Sequence, residues 1–243
     1  MNVLVLGSGA REHALAWKLS KSRGAPCVFI GPGNAGTGEV GYTLSEVNPL
    51  DFPTVLAACR KNRIDCVFVG PEAPLAAGIV DYLTAEGIPA IGPGKGAARL
   101  ESSKAFSKAF LLRNGLPTAG AREFSDRAAF EAYLKGSAGK RLVIKKSGLA
   151  AGKGVLESSD IGEMTAFGGA ILRDDALLVE EFLTGWEVSI FGVSDGKSHI
   201  VLPPCTDFKK ALDGDAGPNT GGMGSICPVP WVDPALMRRI MRE

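Results

Sequence analysis

The chain has 243 residues, 45% of them hydrophobic and 22% charged, with 27 basic side chains against 26 acidic ones. A formal net charge of +1 excludes the broad basic face that nucleic acid or an anionic membrane surface demands, and no apolar run is long enough to span a bilayer. The length exceeds one average domain and predicts two, and the first apolar run, with no basic leader before it, predicts a strand rather than a signal peptide.

The 32 glycines and 15 prolines fall in short clusters at the ends of apolar runs, where a backbone must turn sharply or approach a ligand. Residues 3–6 (VLVL) form the first run, followed by Gly7-Ser8-Gly9 and an amphipathic stretch to about Lys21. Val28–Ile30 ends in Gly31-Pro32-Gly33-Asn34, Cys66–Val69 in Gly70-Pro71-Glu72, and Ile88–Ile91 in Gly92-Pro93-Gly94. Between the last two, Leu75, Ile79 and Leu83 fall on one face of a predicted helix. Short buried strands alternating with helices predict a parallel sheet with right-handed crossovers, whose ligands sit beyond the carboxyl ends of the strands.

The first cluster fails the dinucleotide fingerprint. Glu12 stands where the third glycine belongs, and no acid follows the second strand to hold a ribose. A phosphate seat at a helix N-terminus remains, with exposed amides and Arg11 suited to a phosphomonoester. His13 is expected to be a packed or capping side chain. Cysteines 27, 59, 66, 205 and 227 show no CxxC pairing, and their odd number predicts free thiols in a reducing compartment. Cys27 and Cys66 each begin an apolar run and are expected in the core. Neither His13 nor His199 lies at ligand spacing from a cysteine, so no zinc site is expected. Carboxylates, lysines and backbone amides are left to carry any chemistry.

Residues 97–115 read as helical. Leu142–Lys145 then runs into Gly148-Leu-Ala-Ala-Gly152-Lys153-Gly154 before Val155-Leu156. A Walker A loop needs four residues between its glycines and Ser or Thr after its lysine, so the segment predicts instead a flexible glycine lid between two antiparallel strands, its amides able to fold over phosphates. Leu177–Leu183 is a strand ending in Glu180-Glu181, which fit a solvated rim as well as a site, and Glu187 is expected to start another strand. The glycine-rich, acid-bearing run from Asp213 to Gly224 has the composition of a mobile loop, and also of a site that positions phosphate, cation and a small polar substrate. Residues 231–243 predict the opening of a helix at which a complete domain would not stop.

Taken together the clusters resemble the phosphoribosylamine–glycine ligase family of the ATP-grasp superfamily. The matching stretches are GSGAREHAL (7–15), GPGNAGT (31–37), VGPEAPL (69–75), GPGKGAARLESSKAF (92–106), GLAAGKGV (148–155), VEEFLTGWEVS (179–189) and DGDAGPNTGGMG (213–224). The resemblance implies an N-terminal Rossmann-like parallel sheet over 1–100, a helical linker over 101–122, an α+β ATP-grasp lid subdomain over 123–190, and over 191–243 the incomplete start of the main ATP-grasp subdomain. It implies a cytoplasmic ligase that uses ATP to join glycine to 5-phosphoribosylamine through a glycyl phosphate, with neither nucleic acid nor membrane as partner. The sequence sets no oligomeric state.

Site residues follow from the same resemblance. Lys104 and Lys145 match the lysines that hold ATP phosphates, with Gly148, Gly152, Lys153 and Gly154 in the lid above. Glu180 and Leu183 match the adenine-reading hinge, and Glu187 the ribose contact. Ser8, Gly9 and Arg11 match the sugar-phosphate seat, with Asn34, Glu72 and Asp207 near the phosphoribosylamine. Lys209, Asp213, Asp215, Asn219, Gly221 and Gly222 would line the reacting centre. Two departures stand out: Lys146-Ser147 replaces Ala-Asp after the first lid lysine, and Thr206-Asp207-Phe208-Lys209-Lys210 replaces Gln-Asp-His-Lys-Arg, removing a bidentate donor. The ligands for Mg2+ or Mn2+ are expected beyond residue 243, so residues 1–243 alone are expected to show no glycine-dependent ADP formation. Another ATP-grasp carboxylate–amine ligase, or a non-catalytic nucleotide-binding module on the same scaffold, would carry the same front half.

Overall fold

The apolar run that opens the chain becomes the central strand of a parallel sheet. The structure, a computed structural model, describes residues 1–24, 26–150, 154–214 and 216–242, and Asn219 by its backbone alone. The chain divides into two units, Met1–Ser107 and Lys108–Glu243.

In the first unit, β1 (Asn2–Gly7), β2 (Cys27–Pro32), β3 (Tyr42–Thr43), β4 (Cys66–Val69) and β5 (Ala90–Ile91) form one sheet in the order β3-β2-β1-β4-β5, parallel throughout. Its helices are α1 (Ala10–Ser20), α2 (Phe52–Lys61), α3 (Glu72–Ala77), α4 (Ile79–Ala85) and α5 (Lys95–Ser102); α6 (Lys104–Arg113) begins in it. Strand alternation sends Leu4 and Leu6 into one core, with Val55, Val67, Ile79 and Leu83, and Val5 into another, with Ala16, Val28 and Ile30. A strand covered on both faces has to be apolar at every position, which is why this one reads VLVL. Each such side chain contributes about 2 kcal/mol by leaving water.

Two expectations change here. The helix predicted through Leu75, Ile79 and Leu83 is broken at Gly78, whose φ of +102° is left-handed, so α3 and α4 are separate and Leu75 is only partly buried. Cys27 is exposed rather than in the core and Cys66 is half-buried, because β2 and β4 begin near the water-facing end of the sheet; the fully buried thiol is Cys59.

In the second unit, β6 (Ala121–Phe124), β7 (Leu142–Lys146), β8 (Val155–Ser158) and β9 (Leu177–Glu181) form an antiparallel sheet in the order β6-β9-β7-β8. Helices α7 (Arg127–Lys135) and α8 (Ile161–Ile171) share its core, where Phe130, Leu134, Ile144, Met164 and Leu177 lose nearly all contact with water. Asp126 and Asp160 cap them by accepting the Ala129 and Glu163 amides at 2.8 and 2.7 Å. Two hairpins follow, β10 (Gly192–Ser194) with β11 (His199–Val201) and β12 (Thr206–Leu212) with β13 (Ala216–Ile226), then α9 (Pro234–Ile240), capped by Asp233.

The strand expected from Glu187 starts only at Gly192, with a single bridge before it between Ser189 and Cys205. The run from Asp213 to Gly224, expected as a loop, is mostly strand: β13 pairs with β12 through two irregularities in register that take up its glycines.

Candidate functional site

In the first unit, β1, β2 and β4 all end at one edge of the sheet, and the glycine clusters predicted at strand ends meet there. Gly7 leaves β1 at φ +130°, and Gly9 precedes the first turn of α1. Glu12 explains the failed dinucleotide fingerprint. Its carboxylate, only 5% exposed, accepts the Gly9 amide at 2.8 Å and lies where a side chain on Gly7 or Gly70 would have to go. A third glycine would leave this space empty, so the acid closes the turn that a dinucleotide would otherwise approach. In the sequence Glu12 is visible as a departure from that fingerprint and as part of GSGAREHAL, but its burial against Gly7, Gly9 and Gly70 comes only from the fold.

Arg11 bridges the strand ends. It donates to the Gly70 carbonyl at 2.9 Å and to Glu72 and Glu12 at 3.2 Å each. Burial opposes its charge, but the two carboxylates outweigh it and raise its pKa. Asn34 donates to the Ser8 carbonyl at 3.0 Å and accepts the Gly36 amide at 3.0 Å, which ties the end of β2 to the end of β1. Ser8, Gly9, Arg11, Asn34 and Glu72 therefore gather at one edge. Beside them opens a cleft of about 340 Å³ lined by Gly7, Ser8, Gly9, Asn48, Leu50 and Pro71, among others. His13, in the first turn of α1, packs against Gly36 in the segment after β2.

In the second unit, β7 and β8 frame the lid. The Lys146 amide donates to the Gly154 carbonyl at 2.8 Å and closes its base, and the Gly148 amide donates to Asp175 at 3.0 Å. A side chain on Gly148 would meet that carboxylate at 2.7 Å, and one on Gly154 would meet Ala150 at 2.6 Å, so both positions need glycine for space. A cleft of about 360 Å³ lies alongside, lined by Lys146, Ala150, Gly154, Phe167, Ile171 and Asp174, among others. Gly152 and Lys153 lie outside the described residues.

The charged centre of this unit is an ion triad. Glu180, 7% exposed at the end of β9, binds Lys145 at 2.6 Å and Lys108 at 2.8 Å through its two oxygens. Lys108 also donates to the Thr118 hydroxyl at 2.6 Å and the Ala119 carbonyl at 2.9 Å. Burial pushes the Glu180 carboxyl up, but hydrogen bonds and charge from Lys108 and Lys145 outweigh burial and hold it below the ordinary carboxylate value. Between the two readings of Glu180 open in the sequence, the solvated rim belongs instead to Glu181, which is exposed and accepts the Gly120 amide at 2.7 Å. None of the matching stretches contains Lys108; its signal in the sequence is its position four residues after Lys104, on the same face of one helix. Lys104 itself opens α6 in the first unit.

The other expected residues of the second unit are on or near the β12–β13 hairpin. Glu187 is ion-paired with Lys209, and Asp207 lies 3.8 Å from the same ammonium. The Glu187 hydrogen bond, partly opposed by burial and aided by both acids, raises the Lys209 pKa. Asp213 is in the exposed turn, while Gly221 and Gly222 lie on β13, Gly222 at φ +117°. Leu183 is 63% exposed in the segment after β9. Asp215 and the side chain of Asn219 lie outside the described residues. Among the described residues no group of three or more His, Cys, Asp or Glu could hold a metal ion, and no helix is long and apolar enough to cross a membrane.

The sequence pattern of the phosphoribosylglycinamide synthetase N domain matches residues 1–101, and that of its ATP-grasp (A) domain matches residues 102–243. The chain belongs to the phosphoribosylglycinamide synthetase family. Phosphoribosylamine–glycine ligase of Ralstonia nicotianae is 47% identical over 251 residues, an alignment that takes in 100% of this chain and 59% of the relative. The trifunctional purine biosynthetic protein adenosine-3 of Gallus gallus is 46% identical, over 98% of this chain and 24% of its own. Among solved structures, phosphoribosylamine–glycine ligase of Thermotoga maritima matches with a TM-score of 0.81 at 32% identity, covering 100% of this chain and 59% of that one. The N5-carboxyaminoimidazole synthetase of Staphylococcus aureus complexed with ADP shares the fold at a TM-score of 0.73 and 14% identity, over 99% of this chain and 61% of that one. The chain thus spans about three fifths of the length of the phosphoribosylamine–glycine ligases it matches. The mixed fold expected from the family resemblance, a Rossmann-like parallel sheet followed by ATP-grasp elements, is the one observed.

Proposed function

We propose that the whole protein joins glycine to 5-phosphoribosylamine at the expense of ATP, giving glycinamide ribonucleotide, ADP and phosphate in purine biosynthesis, a cytoplasmic role. The observation that carries this reading is that a chain of this family has a cleft beside Arg11 at the strand ends of one unit, and a glycine lid with the ion triad of Glu180, Lys108 and Lys145 in the other. A glycine carboxylate oxygen attacks the terminal phosphorus of ATP and ADP leaves. The sugar amine then attacks the carbonyl carbon of the glycyl phosphate, the carbon–oxygen bond to phosphate breaks, and the amine loses a proton. Such transfer depends on positioning and charge neutralisation.

In this reading Ser8, Gly9 and Arg11 hold the sugar phosphate, with Asn34, Glu72 and Asp207 toward the ribosylamine. Lys104 and Lys145 take the ATP phosphates under the lid of Gly148, Gly152, Lys153 and Gly154, residues 123–190 acting as the lid subdomain. The backbone at Glu180 and Leu183 reads adenine. Glu187 takes the ribose by exchanging its bond to Lys209, and Lys209 with Asp213, Asp215, Asn219, Gly221 and Gly222 lines the reacting centre. Mg2+ or Mn2+ would neutralise the phosphates; among the described residues no group of three or more His, Cys, Asp or Glu could hold it.

The test is ADP release by the chain joined to the C-terminal remainder of the Ralstonia nicotianae ligase. Release that requires both glycine and 5-phosphoribosylamine is expected. Release that requires bicarbonate and an aminoimidazole ribonucleotide instead would overturn the reading in favour of a different carboxylate–amine ligase.

A further inference from the structure

We propose that Cys205 and Cys227 form a cross-strand dithiol that small-molecule disulfides oxidise to an intrachain disulfide. Thr206 and Ile226 are paired at the outer end of the β12–β13 ladder, and one residue further out the opposed positions are Cys205 and Cys227. The Cys205 amide and carbonyl both bond to Ser189 on the other side, at 2.9 and 2.7 Å. Toward Cys227, then, Cys205 occupies a non-hydrogen-bonded position, where opposed Cα atoms lie about 4.5 Å apart. A disulfide spans roughly 4.4–6.8 Å between Cα atoms.

The sulfurs converge as well. Both thiols are within reach of one acceptor, the Pro203 carbonyl oxygen, Cys205 at 3.5 Å and Cys227 at 3.9 Å. The neighbouring Cys227 thiol, with a smaller contribution from burial, raises the Cys205 pKa. Cys227 is exposed and Cys205 half-exposed, so a small reagent reaches Cys227 first.

The other three cysteines lack this arrangement. Cys59 is buried and its pKa is pushed up to about 11 by that burial, which keeps it protonated and inert. Cys27 and Cys66 stand opposite Asn2 and Val3 on the two strands that flank β1. They are two strand spacings apart, about 9–10 Å, beyond the reach of a disulfide.

The chemistry balances without a further oxidant. The Cys227 thiolate attacks one sulfur of a disulfide such as glutathione disulfide, forming a mixed disulfide and releasing one thiolate. Cys205 gives its proton to solvent and attacks the Cys227 sulfur, the mixed bond breaks, and a second thiolate leaves. Two protein thiols are oxidised and one small disulfide is reduced to two thiols. The bond would fasten the base of the hairpin that carries Asp207, Lys209, Gly221 and Gly222, a consequence for turnover that rests on the function proposed above; formation of the bond does not.

The experiment reads the bond and not the activity. The 243-residue protein is incubated with glutathione disulfide, its remaining thiols are alkylated, and it is digested without reduction for mass spectrometry. A Cys205–Cys227 linked peptide pair that dithiothreitol dissolves is expected. In Cys205→Ser, Cys227 should remain trapped as the glutathione adduct, at least about tenfold more abundant than in the wild type, because a fixed neighbouring thiol acts at millimolar or higher effective concentration. A wild-type adduct that persists on Cys227 while Cys205 is alkylated, or linkage through Cys27 or Cys66 instead, would overturn the proposal. The wild-type map needs no variant to fold.

Discussion

Glu180 shows how one buried carboxylate organises its surroundings. It neutralises two ammonium groups whose side chains are 12% and 33% exposed, Lys108 and Lys145. Removing its charge leaves both uncompensated, so Glu180→Gln should cost about 3 kcal/mol in urea unfolding at neutral pH. The pH dependence has a definite sign. A carboxyl held below its ordinary value near about 4.3 contributes stability that is complete above that value and disappears as pH falls through the lower native one. Acid unfolding of the wild type should therefore include a contribution absent from Glu180→Gln, and parallel acid limbs in the two proteins would contradict the triad. Gly70 makes a second case. A methyl group there would meet the Glu12 carboxylate at 2.2 Å. Gly70→Ala should destabilise by about 2 kcal/mol by evicting the carboxylate from the Gly9 amide. In Glu12→Ala, where the obstacle is gone, the same substitution should cost far less, and thermal melts of the four proteins in this cycle measure the coupling.

At the scale of elements, packing overrides propensity. Gly168 lies within α8, where alanine ordinarily stabilises a helix by about 1 kcal/mol. Here a Cβ would stand 2.4 Å from the Phe130 ring and 3.1 Å from Leu177. Gly168→Ala should therefore destabilise by about 1–3 kcal/mol, and a rise in its melting temperature would show that α7 and α8 do not meet as described. The same contrast between local and partner-imposed structure decides what the sequence could disclose. In the first unit β1, β2, β4 and β5, and in the second the pair around the lid, were legible because an apolar run followed by glycine is a local signal; β3, two exposed residues without such a run, was not. β13 was not: its four glycines argue against a strand, and only the hydrogen bonds offered by β12 make it one. The break at Gly78 escaped for the opposite reason, since apolar spacing continues unaltered through a residue whose backbone turns left-handed. At the candidate site, the residue types Arg11, Lys145 and Glu180 were legible from motifs. Lys108 and Glu12 gain their importance only from what the chain folds against them.

For the whole molecule, two apolar cores in Met1–Ser107 and another in Lys108–Glu243 give each unit its own source of stability. The second unit also leaves Trp186, Phe191, Ile200, Phe208 and Met223 more than half exposed, in a chain that spans about three fifths of the length of its phosphoribosylamine–glycine ligase relatives. Ligands of different chemistry should then be felt in different places. A ligand that binds only the folded form stabilises it by about 2.7 kcal/mol at a hundredfold excess over its dissociation constant, and the effect is strongest where opening of the backbone would destroy the site. ADP should slow amide hydrogen exchange in residues 142–150 and 177–183, around the lid and the ion triad. Ribose 5-phosphate, which presents the phosphomonoester without the nucleotide, should instead slow exchange in residues 7–13, 31–36 and 69–73, at the strand ends that hold Arg11. Exchange measured by mass spectrometry with each ligand in turn resolves these segments. If ADP protects the Ser8–Arg11 turn while ribose 5-phosphate protects β7 and β9, the assignment of phosphate seat and nucleotide site is reversed. If both ligands protect the same segments, the two sites are one.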